Sequence, residues 1–175
     1  MPLVALITIL SMALGACGGD SADTTTTTEA AAVQTILAIS ADVVWGPLNI
    51  PEDERGTQVC VLGNRFPRNS EIVWRARVTD PVTGEPLTDE TASVEVQLSD
   101  GQVLEMRYGP HPRDNPTDFF WTTSFDIPAD YPTGTLGYEI AAAANDGRTG
   151  TFSQFQVAPS LLTITDEVLE TIEEG

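Results

Sequence analysis

From Val33 onward apolar and polar residues alternate with period two, and Gly, Pro, Asn and Asp interrupt the runs at short intervals. That period puts successive side chains on opposite faces of an extended chain, so each run predicts a strand with one buried face. Between Ala92 and Ser99, Val94, Val96 and Leu98 point one way and Ser93, Glu95 and Gln97 the other. Asp100-Gly101 follows, a pair that accepts the positive φ of a tight hairpin turn. Val103 to Tyr108 returns with Leu104, Met106 and Tyr108 on one face, and the two runs are expected to pair. Glu71 to Thr79 sends Ile72, Trp74, Ala76 and Val78 inward and Val73, Arg75, Arg77 and Thr79 outward, with Trp74 the expected centre of the core.

The pattern continues to Ala158. Phe119 to Ile127 aligns Phe119, Trp121, Phe125 and Ile127, Leu136 to Ala144 aligns Leu136, Tyr138, Ile140 and Ala142, and Thr149 to Val157 supplies the last expected strand. Fainter runs lie at Thr35 to Val44 and Gln58 to Leu62. Asp80-Pro81-Val82-Thr83-Gly84 and Asn145-Asp146-Gly147 carry turn chemistry, because Pro presets φ and Gly supplies the left-handed conformation. No helical period is expected between Val33 and Ala158. About seven to eight short strands predict an all-β fold, an antiparallel sandwich, over residues 33–160. The segment from Ile127 through Pro128, Tyr131, Gly134 and Tyr138 to Ile140, continuing to Asp146-Gly147, resembles the closing hairpin of bacterial immunoglobulin-like surface domains. The resemblance implies an immunoglobulin-like sandwich and says nothing of activity. Residues 161–175 read as an acidic tail, in which Thr165-Asp166-Glu167 would start a brief helix.

Two segments at the N-terminus lack this alternation. Pro2 to Ala16 is an apolar run of about fifteen residues, short of the roughly 20 that a helix needs to cross a bilayer. It reads as a signal segment. Leu14-Gly15-Ala16-Cys17 resembles the lipobox of bacterial lipoproteins, with small residues before an obligatory thiol. The resemblance implies cleavage after residue 16 and lipidation of Cys17, hence an extracytoplasmic protein held to the membrane by its lipid. Stable anchoring takes two or more acyl chains, since each buried methylene contributes about 0.8 kcal/mol. Residues 17–32 are rich in Gly, Ser and Thr and read as a disordered tether, too poor in bulky apolar groups to offset the entropy of ordering.

Charge narrows the function classes. The net charge is −18, and all eight basic residues are Arg. No basic patch is available to neutralise a run of phosphates, so nucleic acid is not an expected partner. With a single His, no Lys and no recognisable nucleophile setting, neither triad nor lysine-based covalent chemistry has its parts, and an enzyme is not expected. The Pro-rich stretch from Tyr108 to Trp121 gathers His111, Arg113, Asp114, Asn115, Asp118 and Phe120 in one expected loop, the first candidate for a binding surface toward an envelope protein. Its oxygens at Asp114, Asn115 and Asp118 fall short of the six to eight that calcium takes. Once Cys17 carries lipid, Cys60 has no disulfide partner in the chain. It reads as a small buried side chain, a metal ligand or half of an intermolecular bond. A redox or metal-binding accessory protein using Cys60 and His111, with Met106 as a weak third ligand, is therefore the main alternative to a binding module. A copper site of the cupredoxin kind would lack its second His, so no cofactor is expected. A purely structural envelope protein is a further alternative.

Overall fold

The computed structural model describes residues 36–112 and 115–172. The signal segment, Cys17 and the tether lie outside the described residues. In chain order the elements are β1 (Ala38–Trp45), α1 (Glu52–Gln58), β2 (Arg65–Arg68), β3 (Glu71–Thr79), β4 (Ala92–Leu98), β5 (Val103–Glu105), β6 (Arg107–His111), β7 (Asp118–Asp126), β8 (Gly134–Thr135), β9 (Tyr138–Ala144), β10 (Thr149–Ser153) and β11 (Thr163–Val168). They form two four-stranded sheets, β1-β3-β7-β6 and β10-β9-β4-β5, and a three-stranded sheet, β2-β11-β8. The chain is predominantly β, and its pairings are antiparallel apart from β11 with β2.

Period two governs burial where a sheet has one covered face. In β3, Ile72, Trp74, Ala76 and Val78 are buried while Arg75 and Arg77 lie on the other face; in β4, Ala92, Val94, Val96 and Leu98 are buried against exposed Ser93 and Gln97. Residues from all three sheets meet in one cluster, with Trp74, Phe66, Val96 and Ile140 fully enclosed. Trp74 sits at the centre of it, edge-on to Tyr138 at 5.8 Å. The turn at Asp80 closes as its residues dictate: Asp80 Oδ1 accepts the Val82 and Thr83 N–H groups, and Gly84 takes φ 75°.

Four expectations need correction. The run Val103 to Tyr108 is two strands, since β5 pairs with β4 in one sheet and β6 with β7 in the other. Met106 is buried at the changeover, its N–H still on Val94 O at 2.9 Å, so the alternation runs on unbroken while the partner changes. The expected strand at Gln58 to Leu62 is replaced by α1 up to Gln58 and an isolated bridge from Leu62 to Val44. Pro51 before Glu52, Asp53 and Glu54 is a helix-start signal, because carboxylates are favoured at the positive end of the helix dipole. The long loop from Tyr108 to Trp121 is largely ladder: β6 and β7 pair from Arg107 with Thr122 to His111 with Asp118. The segment read as a tail holds β11, the middle strand of its sheet, with Leu162 and Ile164 buried.

Arg148, after the β9–β10 turn, donates to Asp80 Oδ2 at 2.5 Å and to Asp146 Oδ2 at 2.8 Å, tying that turn to the one after β3. The Arg148 hydrogen bond, aided by the Val82 and Thr83 N–H groups, holds the Asp80 carboxyl below its ordinary value. A depressed carboxyl stabilises the fold above its unfolded pKa, about 3.9, and that contribution is lost as pH falls through the folded value. Asp80→Asn is therefore expected to lower the thermal midpoint at pH 7, with the gap from the parent narrowing below about pH 4. A gap of constant size from pH 7 to pH 2.5 would refute the assignment.

Candidate functional site

The outer face of the sheet β1-β3-β7-β6 gathers cationic, acidic and aromatic side chains. Because Trp74, Ala76 and Trp121 point into the core, Arg75 and Arg77 on β3 and Asp118 and Phe120 on β7 face outward. Strand register puts Asp42, Arg75, Thr122 and Arg107 in one row across all four strands. Arg75 grips Asp42 with both arms of its fork, Nε to Oδ1 at 2.8 Å and Nη2 to Oδ2 at 2.9 Å. This hydrogen bond raises the Arg75 pKa above its ordinary value against the opposing effect of burial, and the charges of Asp42 and Cys60 add to the rise. Arg77 pairs with Asp118. Both guanidiniums lie over the Phe120 ring, with Cζ 5.3 Å from its centroid for Arg75 and 4.3 Å for Arg77, a cation–π arrangement that fixes the ring as well as the charges.

His111, at the end of β6, meets Phe120 edge-on at 5.9 Å. Its Nε2 is 3.8 Å from Cys60 Sγ, a hydrogen-bonding distance for sulfur between residues 51 apart in sequence. Cys60 reaches that position through the path after α1. Its N–H donates to Trp45 O at 2.8 Å, and Trp45 N–H donates to Val61 O at 3.0 Å, so β1 holds the backbone on both sides of the thiol. Cys60 has φ 65°, in the left-handed region, which side chains other than Gly enter at a cost of roughly 1–2 kcal/mol. Strain of this kind persists where surrounding hydrogen bonds enforce it, and it clusters at functional sites.

Sequence-derived candidates separate cleanly on this geometry. His111, Asp118 and Phe120 belong to one cluster, whereas Asn115 is an exposed residue of the β6–β7 turn. Arg113 and Asp114 lie outside the described residues. Asp118 is engaged by Arg77 and by the Phe119 N–H, so its oxygens are committed within the protein. Cys60 is exposed, against the reading of it as a small buried side chain. Met106 is buried in the core, on the inward face, and so is separated from the exposed Cys60–His111 pair. Among the described residues no group of three or more His, Cys, Asp and Glu side chains is arranged to hold a metal ion. Alternation already put Arg75 and Arg77 outward, but their convergence with Asp42 on Phe120 required the strand register. The opposite sheet's outer face offers a groove lined by Ser93, Ala141, Ala143 and Thr151 together with Glu95, Glu105 and Glu139. Compared with protein-family models, curated proteins and solved structures, the chain matches none.

Proposed function

We propose that the chain is a lipid-anchored extracytoplasmic protein, tethered through Cys17, whose immunoglobulin-like sandwich serves as an accessory module at the cell envelope and works through the thiol–imidazole pair Cys60–His111. The observation that carries this reading is the 3.8 Å contact between Cys60 Sγ and His111 Nε2. The thiolate is the nucleophilic form of cysteine, and a neighbouring base or cation favours it. In this protein an exposed sulfur stands 3.8 Å from an imidazole nitrogen, so a thiol and a base are within reach of each other. The binding surface expected on the β6–β7 segment and the thiol site coincide, because His111, Asp118 and Phe120 contribute to both. The lipobox resemblance and the Thr-rich stretch after it support the anchored address.

Two variants test the two halves of the proposal. Cys17→Ser is expected to move the protein from the membrane fraction to the soluble fraction without changing Cys60 reactivity. His111→Ala is expected to slow alkylation of Cys60 by iodoacetamide at pH 7 about tenfold, within the ceiling set by an unassisted thiol, which is only a few per cent thiolate at that pH. Equal alkylation rates in the parent and His111→Ala would overturn the thiol–imidazole reading.

A further inference from the structure

The chain contains two cysteines, Cys17 and Cys60. On the reading above Cys17 is a thioether to lipid, which leaves Cys60 with no second thiol in the molecule to close an internal disulfide. A nucleophilic cysteine so placed completes one half of a thiol–disulfide exchange and stops. The geometry points to Cys60 as a single-thiol exchange site that takes a low-molecular-weight disulfide and is held as the mixed disulfide. This inference rests on the thiol–imidazole reading and adds to it the reaction and the substrate class.

The step balances with the groups in place. His111 Nε2, 3.8 Å from the sulfur, takes the thiol proton; the Cys60 thiolate attacks one sulfur of the incoming disulfide, and a new S–S bond forms as the old one breaks. The departing half leaves as a thiolate and takes the proton back from the imidazolium. No net oxidation occurs beyond what the substrate disulfide supplies, and a small external thiol reverses the reaction by the same route.

Three features favour a small disulfide over a second copy of the chain. Each copy carries a net charge of −18, so two copies repel as their surfaces approach. The cation that interacts with the sulfur, Arg75, is matched by Asp42, so the surface there presents paired charges to a zwitterionic molecule such as cystine. Cys60 is exposed, and its backbone is pinned to Trp45 on both sides, so the sulfur is accessible without rearrangement of the strand.

The test uses the full chain in detergent with cystine as probe, followed by intact-mass spectrometry. One half-cystine per chain is expected, absent in Cys60→Ser, removed by added thiol, and formed about tenfold more slowly at pH 7 in His111→Ala. His111→Asn, of similar polarity, serves as a second variant should the alanine form fold poorly, and thermal midpoints establish folding for each. No adduct, together with a His111-dependent alkylation rate, would overturn the exchange inference and leave the thiol–imidazole site standing. Absence of His111 dependence in both reactions would sink both. Covalent dimers linked through Cys60 in place of the half-cystine adduct would also overturn it.

Discussion

Trp74→Ala is expected to lower the unfolding free energy by about 3–5 kcal/mol, the range for removing a fully enclosed aromatic side chain. The indole has no exposed surface, and it lies on β3 between Val43 of β1 and Thr123 of β7. From the other sheet Tyr138 packs edge-on against it. Deleting it leaves a void that strands held on both sides cannot collapse to fill. One detail separates packing from polarity: Trp74 Nε1 is buried with no hydrogen-bond partner, and such an orphan donor costs about 1–3 kcal/mol. Trp74→Phe keeps a ring in the core and removes that donor, so its loss is expected to be less than half of the alanine loss. Urea unfolding of both variants, with unchanged slopes, provides the comparison. Equal losses would mean that the retained ring restores no packing, and would overturn the assignment of the alanine loss to an unfilled void.

The legible parts of the fold were those in which one face of a strand is covered and the other open. β3 and β4 satisfy that condition along their whole length, so Trp74 and Val96 could be placed from alternation alone. α1 buries no residue at all, which leaves it without an apolar stripe to detect. The division of Val103 to Tyr108 into β5 and β6 was invisible because inward positions keep their period across the change of partner. For β5 and β6 the missing information is which strand lies alongside, a property that no local pattern carries.

The candidate site divides in the same way. With one His and two Cys in the chain, composition alone brought Cys60 and His111 forward. Alternation likewise sent Phe120, Arg75 and Arg77 to the outer face. Their meeting depends on register and on the left-handed turn at Cys60, neither of which is encoded by spacing, since 51 positions in sequence and four intervening strands separate the sulfur from the imidazole. The prolines between Tyr108 and Trp121 suggested a loop, yet Pro110 lies on the edge strand β6, where the missing N–H removes no central ladder bond.

A chain ending at Ser160 is expected to lose its cooperative unfolding transition. On the reading of residues 161–175 as an acidic tail the same truncation would be silent, so the experiment decides between a tail and a strand. Leu162 and Ile164 are 1% and 2% exposed, and burying each stabilises the fold by about 1.5–3 kcal/mol. β11 also supplies the ladder partners of both β2 and β8, and Leu162 O accepts the Leu136 N–H at 2.9 Å while Leu162 N–H donates to the buried Gln154 side chain at 3.2 Å. Removing the strand leaves those groups unpaired beside an opened core, a loss comparable to the roughly 5–15 kcal/mol that holds a whole domain together. Asp166 and Glu167 are exposed on the same strand, and the Arg68 contact there goes to the Asp166 backbone carbonyl and not to its carboxylate. Asp166→Asn with Glu167→Gln is therefore expected to stay within about 0.5 kcal/mol of the parent. A folded truncation with the parent's midpoint would restore the tail reading, whereas a destabilised Asp166→Asn, Glu167→Gln double variant would show that the segment acts through its charge and not through Leu162 and Ile164.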